Sequence, residues 1–250
     1  MSPTSLAGAS AIVTGASRGF GRAIAVALAQ AGTQVIGVAQ HQPELDKVSQ
    51  QLGDAFVPVA ANAADPDLPH QLIARYQPKV VVLNAGAAPH TAPLAEHTWQ
   101  TFSANWNMDV QQVFHFIKES LCAPLEPGSV VVSFSSGAAL RGSPLSGGYA
   151  GAKATIRFIS AYADREAREQ TLGIRFVSVL PQLTPATALG VGGVKAYAAA
   201  AGLSVDGFIS QLGPTLTTEQ VAQSVVSIAT KDTDDVLAYL LTPDGPKDLD

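Results

Sequence analysis

Cys122 is the only cysteine in 250 residues, so no intramolecular disulfide can form. That suits a reducing cytoplasm, and a lone cysteine of this kind is expected to be a small buried hydrophobe rather than a nucleophile. Charged residues make up only 14% of the chain against 47% hydrophobic. The shortage points to a large, well-filled core and a buried subunit interface. The net charge of -5 is mild and suggests no surface for a polyanion, so no nucleic acid is expected as a partner. No apolar run reaches the length of a membrane span. Met1 to Gly8 lacks a basic start followed by an apolar run, so no signal peptide is expected, and no membrane is expected as a partner. His70, His90, His97 and His115 share no metal-ligand spacing, and no metal is expected.

What is present is Tyr149-Ala150-Gly151-Ala152-Lys153. On a helix, a spacing of four puts the two side chains one turn apart on the same face. A phenol has a reference pKa of about 10, which makes it a poor acid or base at neutral pH. A lysine ammonium held close stabilises the phenolate and lowers that value. The pair then becomes a proton donor and acceptor usable near physiological pH.

The rest of the chain gives the pair its context. Ala9–Thr14 reads as a buried strand that enters Thr14-Gly15-Ala16-Ser17-Arg18-Gly19-Phe20-Gly21, and Arg22–Ala31 reads as a helix. Strand, glycine turn and helix form the context a dinucleotide site requires. Gly15 permits the turn, Gly19 lets backbone approach a pyrophosphate, and Gly21 lets the helix pack close. Free N–H groups at the helix start suit phosphate. The second strand, Gln34–Ala39, ends in Ala39-Gln40-His41-Gln42 with no acid, where a carboxylate usually meets a free ribose 2′-hydroxyl. Arg18 instead offers a guanidinium to a 2′-phosphate, with His41 as an outlying contact.

Further strands are expected at 55–60, 80–83, 129–134, 174–180 and 236–241, and helices at 44–52 and 68–76. One long helix is expected over Thr98–Leu121, with Trp99 and Trp106 as packing anchors, and another runs from Tyr149 to about Glu169. Strand and helix alternate throughout. This predicts an α/β fold: a Rossmann-type, doubly wound parallel sheet with helices on both faces, in a single domain over 1–250. The irregular stretch, about Pro181 to Pro214, is rich in Gly and Ala. Its part from about 186 to 214 is expected to be a substrate lid, a weakly committed helix that orders with ligands. Lys195 and Tyr197 in it are outlying candidates for substrate contact. Ala138, Ala139, Leu140 and the Leu189–Leu212 stretch suggest an apolar substrate pocket.

Four motifs in this order resemble the short-chain dehydrogenase/reductase family, in its compact single-domain branch: Thr14-Gly15-x-x-x-Gly19-x-Gly21, Asn84-Ala85-Gly86, Ser135-Ser136 and Tyr149-x-x-x-Lys153. The resemblance covers about residues 8 to 245. It implies that Ser136, thirteen residues before Tyr149, polarises the substrate oxygen, with Ser135 as the fallback. It implies that Tyr149 moves the hydroxyl proton, and that Lys153 lowers the Tyr149 pKa and holds the nicotinamide ribose. Cofactor contacts are implied at Gly15, Ser17, Arg18, Gly19, Phe20, Gly21, Gln40, Asn62, Asn84, Ala85, Gly86, Tyr149, Lys153, Pro181 and Thr184, with Thr187 a further candidate. Asn62 stands where an aspartate is common at the adenine contact.

Two departures stand out. The family's catalytic asparagine falls by spacing on Asp109, with Asn107 two residues earlier, and Pro181-Gln182 replaces the usual Pro-Gly. The expected function is an NADP(H)-dependent carbonyl reductase or alcohol dehydrogenase that is cytoplasmic and homo-oligomeric, a tetramer ahead of a dimer. The alternative is a non-catalytic NADP(H)-binding redox sensor or scaffold on the same fold. Intact Ser136, Tyr149 and Lys153 favour the enzyme.

Overall fold

The computed structural model describes residues 5–231 and 235–249. In chain order the strands are β1 (Ser10–Thr14), β2 (Gln34–Ala39), β3 (Phe56–Ala60), β4 (Val80–Leu83), β5 (Val130–Phe134), β6 (Arg175–Pro181), β7 (Ala238–Thr242) and β8 (Gly245–Asp248). The helices are α1 (Gly19–Gln30), α2 (Gln42–Leu52), α3 (Leu68–Tyr76), α4 (Trp99–Ser103), α5 (Gln111–Cys122), α6 (Ala138–Arg141), α7 (Gly147–Glu169), α8 (Ala188–Ala200), α9 (Val205–Leu212) and α10 (Thr218–Ala229). The strands form one sheet in the order β3-β2-β1-β4-β5-β6-β7-β8, parallel except for the last pair.

The near-continuous Val and Ile runs of the central strands are explained by burial on both faces. Val13, Val82, Val132 and Val179 point to one side, where Ile24 and Leu28 of α1 meet Val225 and Ile228 of α10. Ile12, Ile36, Val81, Val131 and Phe176 point to the other, against Leu72 of α3, Phe116 of α5 and Ile156 of α7. The chain reverses its direction of winding between β1 and β4, and the ends of those two strands open the crevice where doubly wound sheets place ligands.

The structure departs from the sequence expectations in several places. The helix expected over Thr98–Leu121 is broken. Thr98 and Thr101 cap each other to start α4, and a π-helical turn at Trp106–Val110 precedes α5. The cause is polar: Asn105 and Asp109 turn inward, and the widened turn brings Asp109 to the core. Trp99, expected as a packing anchor, is 77% exposed, whereas Trp106 lies against Gly151 of α7 with one side open. Cys122, expected to be buried, is exposed at the end of α5. The irregular stretch contains α8 and α9, each started by a side-chain cap, Thr187 onto the Gly190 N–H and Ser204 onto the Gly207 N–H. Buried Val194 and Ala198 anchor α8 despite its glycines. Strand β8 was not anticipated. Among the described residues no single helix is long and apolar enough to cross a membrane; α8 and α9 reach that composition only as a pair bent by 104°.

Candidate active site

The glycine turn leaves β1 and starts α1. Gly21 has no room for a side chain, because a Cβ there would collide with the Gly15 carbonyl. Gly19 has φ +55, and a Cβ on it would meet only the Thr187 methyl at 3.5 Å, so its backbone faces open space. An exposed turn backbone at the start of α1 fits a pyrophosphate. Ser17 and Arg18 lie in this turn. Arg18 is exposed, and its side chain has no hydrogen-bond or ion-pair partner among the described residues. Phe20 turns its ring inward to Phe134, 6.3 Å between centroids, so its backbone is what faces the turn. The turn is tied to the end of β2, where the Ala16 N–H donates to the Val38 carbonyl at 3.1 Å. Gln40 and His41 follow there, both exposed. Asn62, exposed after β3, uses its side-chain oxygen to accept from the Ala64 N–H at 3.1 Å.

Thr14 joins the turn to the Asn84-Ala85-Gly86 loop. Its hydroxyl oxygen accepts from the N–H groups of Asn84 and Ala85 at 2.9 and 3.0 Å, and its proton goes to Gln112 Oε1 at 2.9 Å. Gln112 in turn donates to the Ala85 carbonyl. The Asn84 side chain donates to the Thr14 carbonyl at 3.1 Å. Gln112 was missed in the sequence reading, and Thr14 was read only as the start of the glycine motif. The available signal was a polar residue beside Val113 and Phe116 on the apolar face of α5.

The π-turn gives the two acid-amide candidates different surroundings. Asn107 is exposed, whereas Asp109 is fully buried. Asp109 Oδ1 accepts from the Ala87 N–H at 2.9 Å, and Oδ2 lies 3.0 Å from Lys153 Nζ. That charge contact lacks hydrogen-bond alignment, which leaves Oδ2 without a directional donor. Asn105, also missed, donates to the Ala87 carbonyl at 2.8 Å and helps hold this loop.

Lys153 is buried on α7 and directs Nζ to the Phe134 carbonyl at 3.0 Å. Burial pulls its pKa down. The Asp109 charge, aided by Tyr149 and by the close Asp109 oxygen, outweighs that, and the net direction is up from the usual lysine value. The group therefore stays positive at neutral pH, 5.6 Å from the centroid of the half-buried Tyr149 ring. Ser135 is buried and spends its hydroxyl proton on the Lys153 carbonyl at 2.7 Å, tying α7 to the end of β5. Ser136 is half-buried and its oxygen receives the Ala138 N–H at 3.2 Å, which leaves its own proton for another acceptor. Pro181 ends β6, and its carbonyl accepts from the Gly137 N–H at 3.0 Å. The Gln182 side chain is exposed. Thr184 is buried and donates to the Leu216 carbonyl at 2.5 Å, whereas Thr187 stands beside Gly19. Tyr197 of α8 reaches the loop before α7, where its hydroxyl meets Ser143 Oγ and accepts from the Leu145 N–H at 3.4 Å.

A buried lysine beside a tyrosine, a free serine hydroxyl at a strand end and an open glycine turn at the switch point define a dinucleotide-dependent class of protein. Residues 9–192 match the family described as short chain dehydrogenase, and the chain belongs to that family. It is similar to L-xylulose reductase of Bos taurus, 27% identical over 183 residues that cover 72% of this chain and 74% of that one. The matches to the rodent L-xylulose reductases span about half the length of those proteins. It is also similar to NADPH-dependent pterin aldehyde reductase of Arabidopsis thaliana, 27% identical over 179 residues, 68% of this chain and 72% of that one. Its fold matches that of 3-ketoacyl-(acyl-carrier-protein) reductase from Brucella melitensis complexed with NADH, with a TM-score of 0.74 and 21% identity over 90% of this chain and 92% of the other. The protein is thus an oxidoreductase of alcohol and carbonyl groups from a family that uses nicotinamide cofactors.

Proposed function

We propose that this protein is an NADP(H)-dependent carbonyl reductase or alcohol dehydrogenase. The observation that carries the reading is Lys153, held charged between Asp109 and the Phe134 carbonyl beside Tyr149. The cofactor supplies hydride chemistry at the carbonyl carbon. The chain's own part is proton and oxygen chemistry. Ser136 donates its free hydroxyl proton as a hydrogen bond to the substrate oxygen. Tyr149 gives that oxygen a proton in reduction and takes it back in oxidation. Lys153 keeps a positive charge next to the phenol and is the residue that would hold the nicotinamide ribose. Asp109 balances that charge and fixes the ammonium. The turn at 15–21, with Arg18, Gln40 and Asn62, would hold the adenosine half, and Asn84 to Gly86, Pro181 and Thr184 would line the nicotinamide half. A panel of ketones and alcohols with NADPH and NADP, followed at the nicotinamide absorbance, tests this. NADPH binding without turnover of any member would favour the sensor.

Arg18 supports the choice of NADP(H), because its side chain is exposed, unpaired among the described residues and in the turn itself. A charge-assisted hydrogen bond is worth about 1.5–3 kcal/mol. Arg18→Ala should therefore weaken NADPH roughly tenfold or more in a fluorescence titration and change NADH little. Equal loss for both cofactors would remove Arg18 from the 2′-phosphate.

Residues 186–214 are proposed as the substrate lid. The Tyr197 contact to the loop before α7 and the exposed Leu183, Leu189 and Val205 support an apolar carbonyl compound beneath it. A homotetramer in the cytoplasm completes the proposal. Phe114 on α5 and Phe158 and Tyr162 on α7 are about half exposed, and the last two rings stack with centroids 6.3 Å apart. Such rings on neighbouring helices suit burial by a second copy. Light scattering at micromolar concentration should give the tetramer mass; a monomer would refute it.

A further inference from the structure

We propose that Glu44 is a specificity-determining residue, which opposes the 2′-phosphate and sets how strongly NADPH is chosen over NADH. No acid stands at the end of β2, yet the fold returns one to the glycine turn. Glu44 lies in the first turn of α2, after the short bend at Gln40 and His41. Its Oε2 accepts the Ser17 hydroxyl proton at 3.0 Å, across 27 residues of sequence. The carboxylate is half-buried and favoured there by the positive end of α2. Arg18, the next residue of the turn, is exposed and its side chain has no partner among the described residues. The turn thus carries a free cation and, one residue away, a hydroxyl already committed to an anion.

An ionised carboxylate only accepts hydrogen bonds. It suits a ribose 2′-hydroxyl, which can donate, and it repels a phosphate dianion. A 2′-phosphate drawn in by Arg18 competes with Glu44 for the Ser17 proton and brings like charges together. NADH brings no such charge. Arg18 and Glu44 therefore act in opposite directions on the same substituent. The proposal rests on the nicotinamide-dinucleotide reading of this turn, and it holds whichever cofactor the unmodified protein prefers.

The test is the ratio of NADPH to NADH dissociation constants, from nucleotide fluorescence without substrate, for the wild type, Glu44→Gln and Arg18→Ala. The glutamine can still accept from Ser17, so the turn is kept, and an unchanged melting temperature confirms that. Glu44→Gln should shift the ratio at least ~10-fold toward NADPH, because like charges at an interface are strongly disfavoured. Arg18→Ala should shift it the opposite way. A Glu44→Gln ratio that is unchanged, or moved toward NADH, overturns the role of Glu44. A wild type that prefers NADH, with Arg18→Ala inert, overturns the NADP(H) reading instead and leaves the Glu44 outcome to be judged separately.

Discussion

Tyr149→Phe should lower turnover by ~10²–10⁴-fold, the range of positioned acid–base catalysis. The change removes one oxygen and keeps the ring, so the packing of the ring beside Lys153 and the fold should persist. Cofactor affinity should stay nearly unchanged, because Lys153, Asp109 and the glycine turn are untouched. Lys153→Met should impair turnover and cofactor affinity together. Ser136→Ala should reduce turnover alone, since its hydroxyl proton has no structural use, unlike that of Ser135, which is spent on the Lys153 carbonyl. Steady-state rates beside fluorescence titrations separate these patterns. A folded Tyr149→Phe protein that reduces the best substrate at the wild-type rate would remove Tyr149 from the proton path and make Asp109 the next candidate.

Asp109→Ala should destabilise the fold by ~3–5 kcal/mol, the usual effect of removing one partner from a buried ion pair. Lys153 would keep its burial and lose the charge that offsets it. The Ala87 N–H would also lose its acceptor. Asp109→Asn isolates the charge, because an amide oxygen can still take that N–H. The sign of the pH dependence follows from Lys153. Its folded pKa is raised above the ordinary lysine value of 10.5. The stability it contributes is therefore fully present below the unfolded value and lost as pH rises through the folded one. In Asp109→Asn, burial dominates and the folded value falls below the unfolded one. That mutant gains stability as pH rises between the two values. The gap in melting temperature between wild type and Asp109→Asn should be widest near neutral pH and narrow toward pH ~10. A gap that does not vary with pH would mean that the 3.0 Å contact carries no charge coupling.

Much of the fold was legible because its signals are local. The Val-rich runs at 80–83 and 130–134 are short and bounded, and the boundaries of β2, α3 and β4 agree with the pattern of the sequence. The glycines of the turn were readable because close packing admits nothing larger at Gly21. The spacing of Tyr149 and Lys153 was enough to put both on one helix. The sequence also carried the acid at position 109 and the exposed-looking Arg18, although not what each would meet.

Other features depended on residues far apart in the chain. Periodicity alone runs Thr98–Leu121 together, because a π-turn changes the helix by one residue and leaves the apolar pattern nearly intact. The turn exists because Asn105 and Asp109 reach Ala87 and Lys153, partners invisible to a local window. Burial separates Asp109 from Asn107. A hydrogen bond to α7 occupies Ser135 and not Ser136. Gln112 was tied to Thr14 across 98 positions, and Glu44 to Ser17 across 27. Hydrophobic period and backbone sterics act over a few residues, so they were enough to locate the parallel strands, the turn and the tyrosine–lysine helix. Only the tertiary structure decided which polar groups were paired and which were left free, because hydrogen bonds and charges answer to distance in space.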